Sequence, residues 1–231
     1  MKLYDFNRAP NARRVRIFLA EKSIDLERIP VDLNSREQMG EEFKAINPRL
    51  QVPALLLDNG ALLTESVAIC RYLDELYPEP PLFGVNALEK AEIEMWHRRM
   101  ELEGLQPTAD AVRNSVDFFK NRALSGPADF EQIPALAERG LIRIEYFHQM
   151  LEMRLAESHF VAGASFSIAD IALTSPFVNF ALAGESVDAG RWPEFANYIQ
   201  RVHGLSCYAP IVRADLEGEF ARFRPQSIDK V

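Results

Sequence analysis

The pattern of apolar and polar residues divides the N-terminal third of the chain into short strands and helices. Apolar residues at every second position predict strands, and apolar residues three or four positions apart predict helices. The predicted strands cover 2–6, 26–32, 54–57 and 61–63, and the predicted helices follow the first strand and cover 36–46 and 64–77. The order β-α-β-α-β-β-α indicates a small mixed sheet with helices on both faces.

The third and fourth predicted strands are separated by Asp58, Asn59 and Gly60. Asn-Gly between two apolar runs is a strong hairpin signal, because both residues tolerate the positive φ angles of a tight turn. We therefore expect these two strands to pair in an antiparallel hairpin.

The pattern changes after residue 77. Residues 77–84 are rich in proline and have no period, which is typical of a connection between domains. The spacing is helical over 87–116, with a bend expected near Gly104 and Pro107, and again over 136–157, 166–183 and 193–205. Ser167 and Asp170 have the spacing of a capping box, so we interpret them as structural. The sequence predicts an α/β domain over 1–78, a linker over 79–86 and an all-α bundle domain over 87–231.

Charge and cysteine content narrow the classes of function. The 231 residues carry a formal net charge of −8, which disfavours binding to nucleic acid or to an acidic membrane surface. Cys70 and Cys207 are far apart, which fits a reducing cytoplasm, and the four histidines lack a metal-ligand spacing. The sequence contains neither a signal peptide nor an apolar run long enough to span a membrane. We expect a cytoplasmic protein without a metal, whose partner is a small molecule or a protein.

Two positions are candidates for ligand chemistry. The turn between the first strand and the first helix reads FNRAPNARRV over 6–15 and contains no Ser, Thr, Tyr or Cys. The helix predicted over 64–77 starts with Glu65 and Ser66. The first N–H groups of a helix have no partner within the helix, and the helix dipole favours an anion there. This second position therefore suits a carboxylate ligand, although Ser66 could also serve only as a helix cap.

Four stretches of the chain resemble the cytosolic glutathione transferases. They are PNARRVRIFLAEK at 10–22, NPRLQVPAL at 47–55, LLTESVAICRYL at 62–73 and FSIADIAL at 166–173. The resemblance implies a thioredoxin-like N-terminal domain, an all-α C-terminal domain and a homodimer. It also implies an enzyme that uses glutathione as co-substrate. The thiolate of glutathione would attack a small hydrophobic electrophile or a disulfide.

The same resemblance implies a glutathione site. Glu65 and Ser66 would meet the ammonium group and the carboxylate of the γ-glutamyl part. Val52 would lend its backbone to the cysteinyl part, next to Pro53 in a cis-proline turn. Gln51 and Gln38 match positions that contact glutathione in some relatives, but a solvated helix face is an equal interpretation of Gln38.

The chain departs from the family at the residue that binds the sulfur. Relatives with the turn S-P-N-A-R-R-V use the serine, and Ala9 occupies that place here. A thiol has an ordinary pKa of about 8.5, and a hydrogen bond to a charged group contributes roughly 1.5–3 kcal/mol, so one or two donors suffice to stabilise the thiolate. Asn11, helped by the backbone N–H of Ala9, is the candidate donor. The alternative is that Asn11 only caps its helix.

The sequence says less about the second substrate and the reaction than about the glutathione site. Trp96 and Arg99, on the first helix of the second domain, are candidates for the second-substrate pocket, with a place in the bundle core as the alternative. The missing serine also leaves open a non-catalytic regulatory or assembly protein of the same fold. A glutathione-dependent disulfide reductase, isomerase or dehalogenase is a further alternative.

Overall fold

The N-terminal domain is a four-stranded sheet with three α-helices. The computed structural model describes residues 1–182 and 186–216, so Ala183 at the end of one predicted helix and residues 217–231 lie outside the described residues. The strands are β1 (Lys2–Asp5), β2 (Glu27–Pro30), β3 (Ala54–Leu56) and β4 (Leu62–Thr64), and the helices are α1 (Pro10–Glu21), α2 (Glu41–Ile46) and α3 (Ser66–Leu76). The strand order is β2-β1-β3-β4, with β1 parallel to β2 and the other two pairs antiparallel. The predicted βαβαββα order is confirmed.

Two local details of this domain differ from the prediction. The helix predicted over 36–46 is a short 3-10 turn, Glu37–Met39, followed by α2, because Gly40 adopts an extended conformation between them. In the hairpin, Gly60 has a φ of 85°, whereas Asn59 is not at positive φ and uses its side chain instead, accepting the N–H of Ala61 at 3.0 Å. The hairpin forms as predicted, but with a different turn.

The C-terminal domain is helical. Its elements are α4 (Ala87–Arg99), a π-helical turn (Met100–Leu105), α5 (Gln106–Arg113), a 3-10 turn (Asp117–Phe119), α6 (Pro134–Glu157), α7 (Ile168–Leu182), α8 (Pro193–His203) and α9 (Ala209–Leu216). The predicted helix over 87–116 is therefore interrupted, near the expected bend. Pro107 has no N–H to donate to the preceding turn, and the wider π-helical turn accommodates it. Gly104 packs against Phe147, whose ring would lie 2.5 Å from an added Cβ.

The start of α7 confirms the structural interpretation of its capping box. The backbone N–H of Ser167 donates to Asp170 Oδ2 at 2.9 Å, and Tyr198 donates its hydroxyl to Asp170 Oδ1 at 2.6 Å. Burial raises the pKa of Asp170. This carboxyl group belongs to the core of the bundle.

The two domains share an extensive contact. α1 packs against α7, and the buried apolar residues of both domains form one continuous cluster. Lys22 at the end of α1 donates to the carbonyls of Tyr77 and Pro80, at 2.7 and 2.6 Å, in the connection between α3 and α4. Within the described residues, no helix is both long and apolar enough to cross a membrane.

Candidate functional site

The register of the sheet brings three of the predicted segments together. Tyr4 pairs with Ala54, and Ala54 pairs with Thr64. If each antiparallel register is followed past the end of the strands, Val52 lies across from Phe6 and Pro53 lies across from Glu65. The turn after β1, the Val52–Pro53 peptide and the start of α3 therefore lie side by side at one end of the sheet.

The Val52–Pro53 peptide bond is cis, as the family resemblance implies. The loop that carries it is held by Asn47, which is buried. The Asn47 side chain donates to the carbonyl of Gln51 at 2.7 Å and accepts the N–H of Arg49 at 3.1 Å. No signal in the sequence indicated this role of Asn47.

Glu65 has an unusual backbone conformation. Its φ of 66° and ψ of 117° are rare for a residue other than glycine. Such a conformation costs roughly 1–3 kcal/mol and persists only where the surroundings fix it, which is common at ligand sites. The side chain is exposed and lies 3.5 Å from Arg49 Nη2. A ligand ammonium group at Glu65 would compete with Arg49.

Ser66 is the first residue of α3 and is buried. Its hydroxyl accepts a hydrogen bond at 3.2 Å from Arg14 Nη1, which also donates to Glu101 Oε1 at 2.9 Å. The guanidinium group adds positive charge beneath the N-terminus of α3. Among the described residues, the buried Nε of Arg14 has no hydrogen-bond partner. The alternative that Ser66 only caps the helix is therefore wrong, because Glu65 is the N-cap residue and the Ser66 hydroxyl connects the N-terminus of α3 to a buried cation.

Glu101 completes this cluster from the second domain. Its Oε2 accepts from Arg98 at 3.0 Å, and its Oε1 lies 3.5 Å from His97 Nε2. Burial alone would raise the pKa of Glu101, but the neighbouring His97 and the charge of Arg14 outweigh it and lower the pKa to about 2. Glu101 therefore carries a negative charge at neutral pH. Sequence reasoning missed Arg14, His97 and Glu101, because their meeting depends on how the two domains pack.

Asn11 and Ala9 lie at the start of α1. Ala9 is the N-cap residue, Pro10 is the first helical residue, and Asn11 is exposed in the first turn. The alternative that Asn11 caps the helix is therefore wrong. The backbone N–H of Ala9 donates to the carbonyl of Phe6 at 3.1 Å. In this conformation, the N–H groups without a partner within the helix are those that follow Pro10.

The other predicted positions are dispersed. Gln51 directs its amide nitrogen to the carbonyl of Ser125, 3.2 Å away in the second domain. Gln38 lies in the 3-10 turn before α2, and in the described part of the chain its buried Oε1 has no hydrogen-bond partner. Trp96 is buried, with its ring between the guanidinium groups of Arg99 and Arg154 at 4.9 and 4.8 Å. These contacts favour the bundle-core interpretation of Trp96.

The two cysteine thiols and the Tyr4 ring are packed against other groups of the protein. Cys70 and Cys207 are buried, and burial raises the pKa of both thiols. Tyr4 packs edge-on against Phe43, with 5.9 Å between the ring centroids. The site therefore offers a place for an anion and hydrogen-bond donors rather than a nucleophile of its own.

Fold and site together define a two-domain protein in which the N-terminus of α3 in a thioredoxin-like domain lies beside an all-α domain. A family model described as Glutathione S-transferase, N-terminal domain, matches residues 3–81, and one described as Glutathione S-transferase, C-terminal domain, matches residues 134–201. Glutathione S-transferase 2 of Saccharomyces cerevisiae is 35% identical over 187 residues, 79% of this chain and 77% of that protein. The chain belongs to the glutathione S-transferase family, as the sequence predicted.

Two further comparisons give the same result. Glutathione S-transferase Z1 of Arabidopsis thaliana is 45% identical over 107 residues, and the chain spans about half of that protein, 48%. The crystal structure of a class Gtt2 glutathione S-transferase of Vibrio parahaemolyticus superimposes with a TM-score of 0.77 at 34% identity, covering 94% of this chain and 99% of that one.

Proposed function

We propose that this protein is a glutathione transferase that binds glutathione at the end of the sheet where β1, β3 and α3 meet. The observation that carries the proposal is the convergence of the first turn of α1, the Val52–Pro53 peptide and the Glu65–Ser66 pair. The γ-glutamyl carboxylate binds at Ser66, above Arg14, and the ammonium group binds at Glu65. The cysteinyl part pairs with the backbone of Val52.

The role of the protein is to favour the thiolate form of glutathione. The N-terminus of α1 carries a partial positive charge, and Asn11 adds a side-chain amide with two donors at its exposed first turn. Loss of the thiol proton then gives an anion stabilised by these donors. The sulfur electron pair forms a bond to the electrophilic atom of the second substrate while a leaving group departs, or it opens a disulfide bond.

The second substrate is a small apolar molecule. A pocket beside the π-helical turn is lined mainly by apolar residues, among them Met100, Leu105, Leu173, Pro176 and Phe177. Pro176 directly follows Ser175, whose hydroxyl donates to the carbonyl of Pro10 at 2.7 Å. This cavity has a volume of about 10 Å³, room for about one water molecule, so it does not itself hold an electrophile or an organic disulfide.

Binding of glutathione and release of its proton are measured together by calorimetric titration in two buffers with different ionisation enthalpies. For the wild-type protein near neutral pH, we expect close to one proton released for each glutathione bound. The Asn11→Ala variant should bind glutathione but raise the pKa of the bound thiol by about one unit, because one donor to the charged form is lost. Asn34→Ala, which removes another exposed asparagine of the same domain, is the matched control and should match the wild type.

Each outcome has a definite meaning. Binding without proton release would contradict thiolate stabilisation, and absence of binding would favour the non-catalytic assembly protein. Equal proton release by the wild type and Asn11→Ala would leave glutathione binding intact but remove Asn11 from the mechanism.

We include a homodimer and a cytoplasmic location in this proposal. α4, the π-helical turn and α6 expose large apolar side chains: Leu88, Met95, Leu102, Ile142, Tyr146 and Met153. Arg143 on α6 donates to the carbonyl of Leu102 at 2.5 Å, which joins the two parts of this surface. Exposed apolar surface of this extent suits a second copy of the chain. Light scattering should give twice the mass of the chain, and Tyr146→Asp should reduce it.

A further inference from the structure

The carbonyl groups of residues 6–10, in the turn before α1 and at its start, all accept hydrogen bonds. Within the turn, the carbonyl of Phe6 accepts the N–H of Ala9, and the carbonyl of Ala9 accepts the N–H of Arg13 at 2.9 Å. The three remaining carbonyls accept from side chains: Asn7 from Arg16 Nη2, Arg8 from Asn179 Nδ2 at 3.2 Å, and Pro10 from Ser175 Oγ at 2.7 Å. The orientation of every peptide from 6 to 10 is therefore fixed.

Two of these donors share one face of α7. Ser175 and Asn179 are four residues apart, so their side chains lie one above the other on the helix. Ser175 is fully buried. The second domain thus holds the turn of the first domain at two carbonyl groups, one before and one after Ala9.

Arg13 fixes which way the amide of Asn179 points. Its Nη1 donates to Asn179 Oδ1 at 2.6 Å and to the carbonyl of Ser175 at 2.9 Å. Because a guanidinium group cannot accept a hydrogen bond, the atom of Asn179 that faces it must be the oxygen. The amide nitrogen of Asn179 is consequently directed at the carbonyl of Arg8.

Asp215 on α9 holds the arginines in place. Its Oδ2 accepts from Arg13 Nε at 2.5 Å and from Arg16 Nη2 at 3.2 Å, and both side chains of the Arg13–Asp215 pair are completely buried. Arg16, the other arginine bound to Asp215, also donates to the carbonyl of Asn7. The chain of bonds from α9 through α1 and α7 to the turn is continuous.

We propose that Ser175 and Asn179 are positioning residues for the thiolate site. A carbonyl oxygen carries partial negative charge and would repel a thiolate, whereas the N–H groups at the N-terminus of α1 attract it. By drawing the carbonyls of Arg8 and Pro10 towards α7, these two residues keep the N–H side of the turn, with Asn11, available to the sulfur. This inference rests on the proposed function, because the thiol of glutathione is the group that the turn serves.

The experiment compares Ser175→Ala with Ser167→Ala. Both changes remove a buried hydroxyl at α7, but the hydroxyl of Ser167 donates to Asp170 in the bundle core. The first readout is the pKa of the bound glutathione thiol, followed by thiolate absorbance. We expect Ser175→Ala to raise it by about one unit and to lower kcat up to about tenfold near neutral pH, with little change in KM for glutathione. Ser167→Ala should lower thermal stability without moving that pKa.

A second readout needs no glutathione. Amide hydrogen exchange of residues 7–12 in the free protein should accelerate in Ser175→Ala and in Asn179→Ala, but not in Ser167→Ala. Failure of the wild type to bind glutathione as a thiolate would overturn the proposed function and this inference with it. If the wild type binds the thiolate and Ser175→Ala and Asn179→Ala change neither the pKa nor the exchange, the proposed function stands and the positioning role is wrong.

Discussion

Arg13 and Arg14 are adjacent in α1, yet their guanidinium groups lie in two different environments. Arg13 and its partner Asp215 are both completely inaccessible to solvent, whereas Glu101, the partner of Arg14, is 21% exposed. Arg13 donates to Ser175 and Asn179 on α7, and Arg14 donates to the hydroxyl of Ser66 at the N-terminus of α3. Neighbouring residues on one helix therefore have two tasks: one joins the domains, and the other adds charge to the proposed binding site.

The largest effect on stability is expected at the buried pair of Arg13 and Asp215. Asp215→Asn leaves Arg13 and Arg16 without their shared carboxylate, and breaking a buried pair in this way costs about 3–5 kcal/mol of unfolding free energy. Urea unfolding followed by fluorescence measures this loss. Asp129→Asn, at an exposed position of the same domain, should remain within about 0.5 kcal/mol of the wild type. A similarly small loss for Asp215→Asn would show that the buried pair does not hold the domains together.

The stability that the second pair, Arg14 and Glu101, contributes should depend on pH. The pKa of Glu101 is about 2 in the folded protein, against an ordinary value of 4.5, so its ionised form contributes about 3 kcal/mol of stability. Because the folded pKa is the lower one, this contribution is complete above pH 4.5 and disappears as the pH falls towards 2. Unfolding of Glu101→Gln and wild type across this range should give curves that converge in acid.

A matched exposed pair provides the control for this pH dependence. Glu94 pairs with Arg71 at 3.0 Å, but both side chains are about half exposed. Glu94→Gln should change stability by less than about 1 kcal/mol at any pH. A constant difference between Glu101→Gln and the wild type from neutral pH to pH 2 would contradict the assigned charge state.

The smallest effect is expected at Arg49, an exposed residue that pairs with Glu65 before the start of α3. Arg49→Gln removes an exposed ion pair with Glu65, so the unfolding free energy should change by less than about 1 kcal/mol. Glu65 is then free for the ammonium group, and glutathione affinity should rise by up to about fivefold at low salt, as measured by calorimetry. Lys44→Gln, which breaks the exposed pair with Glu41, should leave the affinity unchanged. A loss of affinity in Arg49→Gln would instead make Arg49 a ligand contact.

The fold could be predicted from the sequence because its signals are local. Alternation, the hairpin signal at Asp58–Gly60 and the capping box at Ser167 each depend on residues a few positions apart. The Glu65–Ser66 pair was proposed for the same reason, as a helix start next to a strand. The break near Gly104 and Pro107 was also expected, whereas the break at Gly40 was not, and the π-helical turn itself has no simple sequence signal.

The contacts that hold the site together could not be predicted, because they join distant parts of the chain. Arg14 meets Glu101 across the domain interface, and Arg13 meets Asp215 across 202 positions of sequence. An arginine in an amphipathic helix normally indicates a solvated face, so neither side chain carried a signal of burial. The bond between Gln51 and Ser125 was missed for the same reason.

The bond between Arg13 and Asp215 also has a consequence for how the protein is made. Translation proceeds from the N-terminus at roughly 5–20 residues per second, so Asp215 leaves the ribosome roughly 10–40 seconds after Arg13. The N-terminal domain can form its sheet during this interval, but the arginine that supports its first turn still lacks its carboxylate. We therefore expect nascent chains to become competent for glutathione only once α9 has been synthesised.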